Sequence, residues 1–168
     1  DSNHDDQLDL ARELGVQPLR RVRVWSVDPH PASERLTSEM PSSCRWSALD
    51  NSTARPLFAL EQACCSTHHR QILDRQCQDL VDQRSKGCGL LERIDSDQNQ
   101  VLAGLVARPS GFGRPRLELL RGLAWDERLT DALPPALERL ARLQPTPELL
   151  VDEDDEHLQV IVQRSGFQ

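Results

Sequence analysis

Two cysteines and two histidines lie close together in the segment CCSTHH, where Cys64 precedes His68, and Cys65 precedes His69, by four residues. On a continuous helix each pair would lie on one face and could chelate a metal ion. Against this, Ser66-Thr67 is typical of a helix break with an N-cap, and the two-sided spacing of strong zinc motifs is absent. We therefore expect no metal, and a metal-binding or redox module using these residues remains a minor hypothesis.

Two other segments contain residue types found at ligand sites, and each also has a simpler structural interpretation. Gly111-Phe112-Gly113 is too short for a dinucleotide motif and lies between strand-like runs, which favours a hairpin turn. The acidic run Asp152 to Glu156 lacks the Asp/Gly pattern of a calcium loop and is typical of a solvated helix start. The five cysteines include no C-x-x-C pair, so we expect reduced thiols.

The amino-acid composition excludes several broad classes of function. The chain has 168 residues, with 20 basic and 27 acidic side chains and a net charge of −7, so we expect no nucleic-acid partner. The longest apolar run, Val101 to Ala107, is far shorter than the roughly 20 residues that cross a bilayer, so we expect no membrane partner. The polar, acidic beginning is unlike a signal or transit peptide, which predicts a soluble, cytoplasmic protein.

From Cys44 onward, apolar periodicity and turn residues divide the sequence into nine elements. In order they are a strand from Cys44 to Leu49, a helix from about Thr53 to Cys65, a helix from Thr67 or His68 to Ser85, strands from Gly89 to Ile94, Gln100 to Ala107 and Arg116 to Leu123, a helix with Pro134-Pro135 in its first turn, a strand from Glu148 to Val151, and a helix from Asp154 to Ser165-Gly166. This order predicts an α/β (α+β) fold with a mixed, mostly antiparallel sheet and helices on both faces.

The element order β-α-α-β-β-β-α-β-α resembles the GNAT superfamily of acyl-CoA-dependent N-acetyltransferases. The ending Val162 to Phe167 is similar to the closing helix of that family, which runs into Gly-Phe before the last strand. The resemblance covers about residues 42–168. It implies an N-acetyltransferase that transfers an acetyl group from acetyl-CoA to an amine of a small molecule or peptide.

The beginning of the chain resembles its end. Asp1 to Gln17 can be laid over Asp152 to Gln168 without a gap, with identical Asp, Gly and Gln residues at three positions. We interpret residues 1–27 as the helix and strand that end a preceding GNAT-like module, 28–43 as a Pro- and Ser-rich linker, and 42–168 as a second module that lacks its own final strand. The chain would then be the C-terminal module of a tandem protein. The alternative is that residues 1–17 form an ordinary N-terminal helix.

Residues 18–27, with the sequence PLRRVRVWSV, alternate between apolar and polar as the family's final strand would. An exposed sheet edge favours completion by a further strand. We therefore expect residues 18–27 to fill the vacant sheet position, either within the chain or in a neighbouring copy through a dimer or strand exchange.

The resemblance places the cofactor after the fourth strand, where the family has a glycine-rich loop at a helix start that binds pyrophosphate. Here the stretch Leu123 to Asp131 has no glycine and three acidic residues, which repel a pyrophosphate, so acetyl-CoA binding is in question. Arg128, alone or with Arg121, would supply the positive charge. The resemblance assigns five residues to the cofactor: Leu120, Gly122, Trp125, Arg128 and Thr130. A core or rim position is the simpler interpretation of Trp125.

Catalysis in the family implies a base for the acceptor amine and an acid for the leaving thiolate. Glu118, in the fourth strand, is the first candidate base and Glu92 the second, and both are also explained as solvent-facing strand residues. The sequence contains no Tyr, and Val162 stands where the family's closing helix commonly has the tyrosine acid. The alternative function is therefore a catalytically degenerate GNAT-like module with a structural or interaction role.

Overall fold

The computed structural model describes residues 9, 12–15, 20–27, 39–65, 70–71, 74–82, 87–94, 99–108, 116–144 and 146–168. In chain order, the strands and helices of this part are β1 (Val22–Ser26), β2 (Cys44–Ala48), α1 (Ala54–Cys64), α2 (Cys77–Asp82), β3 (Gly89–Arg93), β4 (Gln100–Arg108), β5 (Arg116–Arg121), α3 (Leu129–Leu143), β6 (Glu148–Asp152) and α4 (Glu156–Arg164). None of the helices among these residues is long and apolar enough to cross a membrane.

The six strands form one mixed sheet in the order β1-β6-β5-β4-β3-β2. Neighbouring strands from β2 to β5 are antiparallel: β2 pairs with β3, β3 with β4, and β4 with β5. β5 and β6 are parallel, and α3 forms the crossover between them. The predicted fold class is confirmed.

The sheet is covered by helices on both faces. Leu57 and Leu60 of α1 lie directly over Gly104 of β4, where a Cβ atom would overlap the Leu57 side chain. Leu140 of α3 and Leu117 of β5 both lie beside Gly87 on the opposite face, since Leu117 alternates with the residues that face α1. This two-sided cover explains why four consecutive residues are buried in both β3 and β5.

The strand expected in residues 18–27 is confirmed as β1. It pairs antiparallel with β6 of its own chain, with Val22 opposite Asp152 and Ser26 opposite Glu148. On its other edge, Ser26 exchanges two backbone hydrogen bonds of 2.8 Å with Gln168. β1 therefore lies between β6 and the residues that follow α4.

Two sequence-based helix predictions are wrong in detail. The helix expected up to Ser85 is not continuous, because residues 74–76 are not helical and Asp74 has a positive φ of 38°. A new helix starts instead at Cys77, where the Asp79 carboxylate accepts the Gln76 N–H at 2.7 Å, as in a capping box.

The second correction concerns Pro134 and Pro135, which lie in the second turn of α3 and not in its first. The helix starts earlier because Leu129, with its neighbours on the same face, is buried against the sheet. The carbonyls deprived of an N–H partner by the prolines belong to Thr130 and Asp131, which are exposed to solvent.

Several expectations concern residues outside the described part of the chain. These include His68 and His69, the turn at Gly111–Gly113, and most of the residues in 1–17 and 28–43. The division into a tail, a linker and a second module therefore remains a prediction. The left-handed Gly166 after α4 is confirmed, with φ 84°.

Candidate active site

The parallel strands β5 and β6 are paired at one end and apart at the other. Their register places Arg116 opposite Glu148, Leu117 opposite Leu149 and Glu118 opposite Leu150. β5 then continues to Arg121 and β6 to Asp152 without further pairing between the two strands. We call the paired part, Arg116–Glu118 with Glu148–Leu150, the closed end. The unpaired part, Leu119–Arg121 with Val151–Asp152, is the open end.

A cavity of about 340 Å³ lies at the open end. Its wall is made by the last residues of β5, the turn between β6 and α4, and single residues from other elements: Arg20, Cys64, Leu119, Leu120, Arg121, Gly122, Leu123, Asp152, Asp154, Asp155 and Leu158. Three carboxylates and two guanidinium groups are among these side chains. The cavity is therefore polar and carries charges of both signs.

Arg20, just before β1, bridges the two strands at the cavity. Its Nη1 pairs with Oε1 of Glu118 on β5, and its Nη2 lies 3.1 Å from Oδ2 of Asp152 on β6. A second bridge joins Nε of Arg121 to Oδ2 of Asp155, whose carboxylate also accepts the Leu158 N–H as the N-cap of α4. The first bridge thus joins β5 to β6, and the second joins β5 to the start of α4.

Glu118 also belongs to a buried row of alternating charges beneath α1. Nε of Arg108 pairs with Oε2 of Glu118, and Nη1 of Arg108 lies 2.6 Å from Oε1 of Glu61. Arg75 completes the row with a hydrogen bond of 3.0 Å to Glu61 Oε1. Burial lowers the pKa of Arg108, but the charges of Glu118 and Glu61 outweigh this effect and raise the pKa overall.

The two candidate bases occupy different surroundings. Glu118 is buried directly behind Arg20, and each of its oxygens accepts a hydrogen bond from an arginine. Glu92 lies on β3, where its Oε2 accepts hydrogen bonds from Ser47 at 2.7 Å and Arg45 at 3.1 Å. Glu92 is not among the described residues of the cavity wall. Glu118 is not among them either, but it pairs with Arg20, which is, and it directly precedes the wall residue Leu119.

Cys64 adds a thiol to the cavity wall. Its Sγ donates a hydrogen bond of 2.8 Å to the carbonyl oxygen of Arg121 at the end of β5. Burial, followed by the neighbouring Cys65, raises the pKa of Cys64 to about 11. The thiol therefore carries its proton at neutral pH and reacts slowly with electrophiles.

The start of α3 has an acidic side chain where a bound anion would lie. Oδ1 of Asp126 accepts the backbone N–H of Arg128 at 2.9 Å, and the Arg128 guanidinium lies 3.4 Å from both carboxylate oxygens. Asp126 thus uses the local positive charge and one of the N–H donors that a phosphate would need. This loop as it stands does not fit a pyrophosphate.

A second cavity, of about 300 Å³, lies between the start of α3 and the outer side of α4. The centre of the Trp125 ring lies 4.9 Å from the centre of the His157 ring. The guanidinium carbon of Arg121 lies 5.6 Å from the centre of the Trp125 ring. Thr130, Val160 and the end of α4 complete the wall.

The structure brings only some of the expected cofactor residues together. Leu120 and Gly122 line the first cavity, whereas Trp125 and Thr130 line the second. Arg128 is not among the described residues of either wall. The sequence analysis did not single out the cavity residue Arg20, because an arginine next to a strand carries no signal of a site, and it interpreted the run that contains Asp155 only as a solvated helix start.

Comparison with known proteins identifies the fold. No protein-family model matches the chain, and no curated protein matches it significantly. Among solved structures, a GCN5-related N-acetyltransferase from Sphaerobacter thermophilus is similar with a TM-score of 0.59 and 16% identity, over 96% of this chain and 52% of that one. A GNAT-family protein from Novosphingobium aromaticivorans has a TM-score of 0.46 and 12% identity, over 90% of this chain and 63% of that one, too low a score to support an argument.

The chain has the GNAT fold, with its mixed six-stranded sheet and its opening between the parallel strands. It spans about half the length of the Sphaerobacter protein that it resembles.

Proposed function

We propose that this chain is one module of a GNAT-type N-acetyltransferase, which transfers an acetyl group from acetyl-CoA to an amine. The observation that carries the proposal is the open end of the β5–β6 pair, where a cavity of about 340 Å³ lies next to a buried carboxylate. A cavity at the point where parallel strands part is a typical ligand site of α/β sheets.

The charges of the cavity support an amine as the acceptor. Asp152, Asp154 and Asp155 lie together at its wall, and Asp154 is exposed to solvent. Such a group of carboxylates attracts a protonated amine from solution. The amine must then lose its proton before it can attack an acyl group.

Glu118 is the candidate base of the proposal. Its Oε1 is directed toward Arg20, which itself lines the cavity. When Arg20 moves away, this oxygen faces the cavity and can accept the proton, while Arg108 still holds the other oxygen. Bound acetyl-CoA would supply the acyl group as a thioester, with Leu120 and Gly122 beside it at the end of β5.

A second candidate function rests on Asp126. Because its carboxylate already accepts the Arg128 N–H at the start of α3, the module would bind no acyl-CoA and would serve another module as a structural or interaction unit. In that case the cavity is a feature of the fold that binds no cofactor.

Calorimetric titration with acetyl-CoA tests both candidates. We expect saturable binding by the wild-type chain, weaker binding by Arg128→Glu, and unchanged binding by Arg142→Glu, a matched variant at the exposed far end of the same helix. Asp126→Asn removes the competing charge and should bind about tenfold more tightly.

The opposite outcome is equally specific. No heat from the wild type or from Asp126→Asn at millimolar acetyl-CoA would reject the transferase proposal for this module and leave the second candidate. If Arg128→Glu and Arg142→Glu weaken binding equally, the affinity for acetyl-CoA depends on the net charge of the chain and not on the start of α3.

A further inference from the structure

We propose that the amine acceptor is a free amino acid with an apolar side chain, whose ammonium group binds to Asp154 and whose carboxylate binds to Arg121 in the cavity at the open end. The inference rests on the proposed function, because it names the substrate class for the same cavity. It is carried by the charges of both signs on the cavity wall and by the leucines beside them.

Asp154 provides the carboxylate for the ammonium group. It lies on the cavity wall and is exposed to solvent. Within the described part of the chain its side chain has no ion-pair partner, whereas Asp152 is paired with Arg20 and Asp155 with Arg121. An ammonium group that binds to Asp154 therefore gains a charge-assisted hydrogen bond without breaking an ion pair of the protein.

Arg121 provides the guanidinium for the carboxylate. Its Nε pairs with Asp155, and its Nη1 donates to the carbonyl oxygens of Gly122 at 2.8 Å and Leu123 at 3.2 Å. For Nη2 no acceptor is found among the residues that the structure describes. The side chain is 24% exposed, so two N–H donors remain for a carboxylate.

The two charged positions are neighbours on the cavity wall. Asp155, which directly follows Asp154 in the chain, is the residue that pairs with Arg121. An ammonium and a carboxylate held side by side are the two charges of an amino acid. The rest of the wall contains four leucines, which an apolar side chain would contact: Leu119, Leu120, Leu123 and Leu158.

Other simple ligands match this wall less well. A monoamine leaves the Nη2 donors of Arg121 without a partner, and the second ammonium of a diamine is repelled by the guanidinium. A carboxylate without an ammonium group is repelled by the three aspartates of the wall, Asp152, Asp154 and Asp155. An amino acid satisfies charges of both signs and adds no net charge to the cavity.

The experiment compares leucine with the two molecules that each lack one of its charges. These are isoamylamine, which has no carboxylate, and isocaproate, which has no ammonium group. Titration of the full chain, followed by NMR of its backbone amides, gives each dissociation constant in the absence of acetyl-CoA. We expect leucine to bind about tenfold more tightly than isoamylamine, as for one charge-assisted hydrogen bond, and isocaproate to bind most weakly.

Two variants assign the charges separately. Arg121→Gln should weaken leucine binding about tenfold and leave isoamylamine binding unchanged, because only leucine has a carboxylate. Arg121→Lys keeps the positive charge and should keep the preference for leucine. Asp154→Asn should weaken both ligands by about the same factor, roughly tenfold, because both have the ammonium group.

Matched controls separate contact from overall charge. Glu153→Gln removes an exposed acidic charge from the same turn, outside the described wall of the cavity. Arg116→Gln removes a guanidinium from the ion pair with Glu148 at the closed end. Both variants should bind leucine as the wild type does.

The inference is overturned if leucine and isoamylamine bind equally well to the wild type, or if leucine does not bind at all. It is also overturned if Asp154→Asn folds and binds leucine like the wild type, or if Glu153→Gln weakens binding as much as Asp154→Asn does. In that last case the ammonium group responds to the acidic turn as a whole.

The same titrations separate this inference from the transferase proposal. If leucine binds selectively but acetyl-CoA does not bind, the amino-acid site stands and the transfer reaction falls. If acetyl-CoA binds but leucine is not preferred to isoamylamine, the transferase proposal stands and the amino-acid acceptor is wrong.

Discussion

The two ends of the β5–β6 pair are joined by different forces. At the closed end the backbones form a regular ladder over three residue pairs, and the side chains of Leu117 and Leu149 are fully buried. At the open end the ladder stops: Arg20 connects Glu118, the last paired residue of β5, to Asp152 of β6, and Arg121 connects β5 to Asp155 at the start of α4. The comparison shows that one strand pair can be joined by backbone hydrogen bonds at one end and by ion pairs at the other, although buried side chains such as Leu117 and Leu119 lie at both ends.

The largest effect should follow from removing a buried side chain at the closed end. Leu149→Ala leaves a cavity in a fully buried site and should lower the free energy of unfolding by about 2–5 kcal/mol. Leu123→Ala, at a residue that is 78% exposed beside the open end, should change it by less than about 0.5 kcal/mol. Urea denaturation measures both. Equal losses would show that burial does not determine the cost of truncating these two leucines.

The next largest effect is expected at Asp155, which joins the open end to α4. Asp155→Ala removes both the N-cap of α4 and the partner of Arg121, and should cost about 1–2 kcal/mol. The matched variant Asp154→Ala removes an exposed carboxylate and should cost less than about 0.5 kcal/mol. If thermal denaturation gives the same midpoint for both variants, the assigned role of Asp155 is wrong.

A smaller effect is expected for the ion pair at the closed end. Arg116 Nη2 lies 2.8 Å from Glu148 Oε2, and the two side chains are 30% and 18% exposed. Because backbone pairing already holds this end, Arg116→Ala should cost only about 0–1 kcal/mol. A double-mutant cycle with Glu148→Ala isolates the pair. A coupling well above this range would mean that charge matters as much at the closed end as at the open one.

The last effect appears only at alkaline pH and is confined to the open end. Burial raises the pKa of Cys64 to about 11, so folding favours the protonated thiol. The contribution is fully present below the ordinary cysteine pKa and is lost as pH rises through the folded value. Between about pH 9 and 11, unfolding free energy should therefore fall more steeply for wild type than for Cys64→Ala. Parallel curves from alkaline urea titrations would contradict the shifted pKa.

The sheet and its helices follow from patterns that a sequence displays directly. The alternation of apolar and polar residues indicates β1 and β2, and Gly166 indicates the end of α4. These features depend on local geometry and on which side chains must be buried. The break before α2 is not predictable from the sequence, since it depends on Asp74 adopting a left-handed conformation that the neighbouring residues do not indicate.

The chemistry of the open end could be predicted only in part. Glu118 was selected from its strand, but its partner Arg20 is one of three arginines in residues 18–27 and has no local distinguishing feature. The sequence shows Asp126 only as a charge that repels phosphate, whereas in the structure its carboxylate also accepts the Arg128 N–H. Such contacts depend on where the ladder between β5 and β6 ends, which no local pattern shows.

The hydrogen-bonded contact between β1 and the residues after α4 also has a consequence for folding. Ser26 and Gln168 are 142 positions apart in the chain, yet they lie side by side in the folded structure. Contacts of such sequence separation form late, because a long loop must first be closed. On the ribosome, β1 emerges well before β6, so we expect the nascent chain to carry an unprotected strand until the rest of the domain has been synthesised.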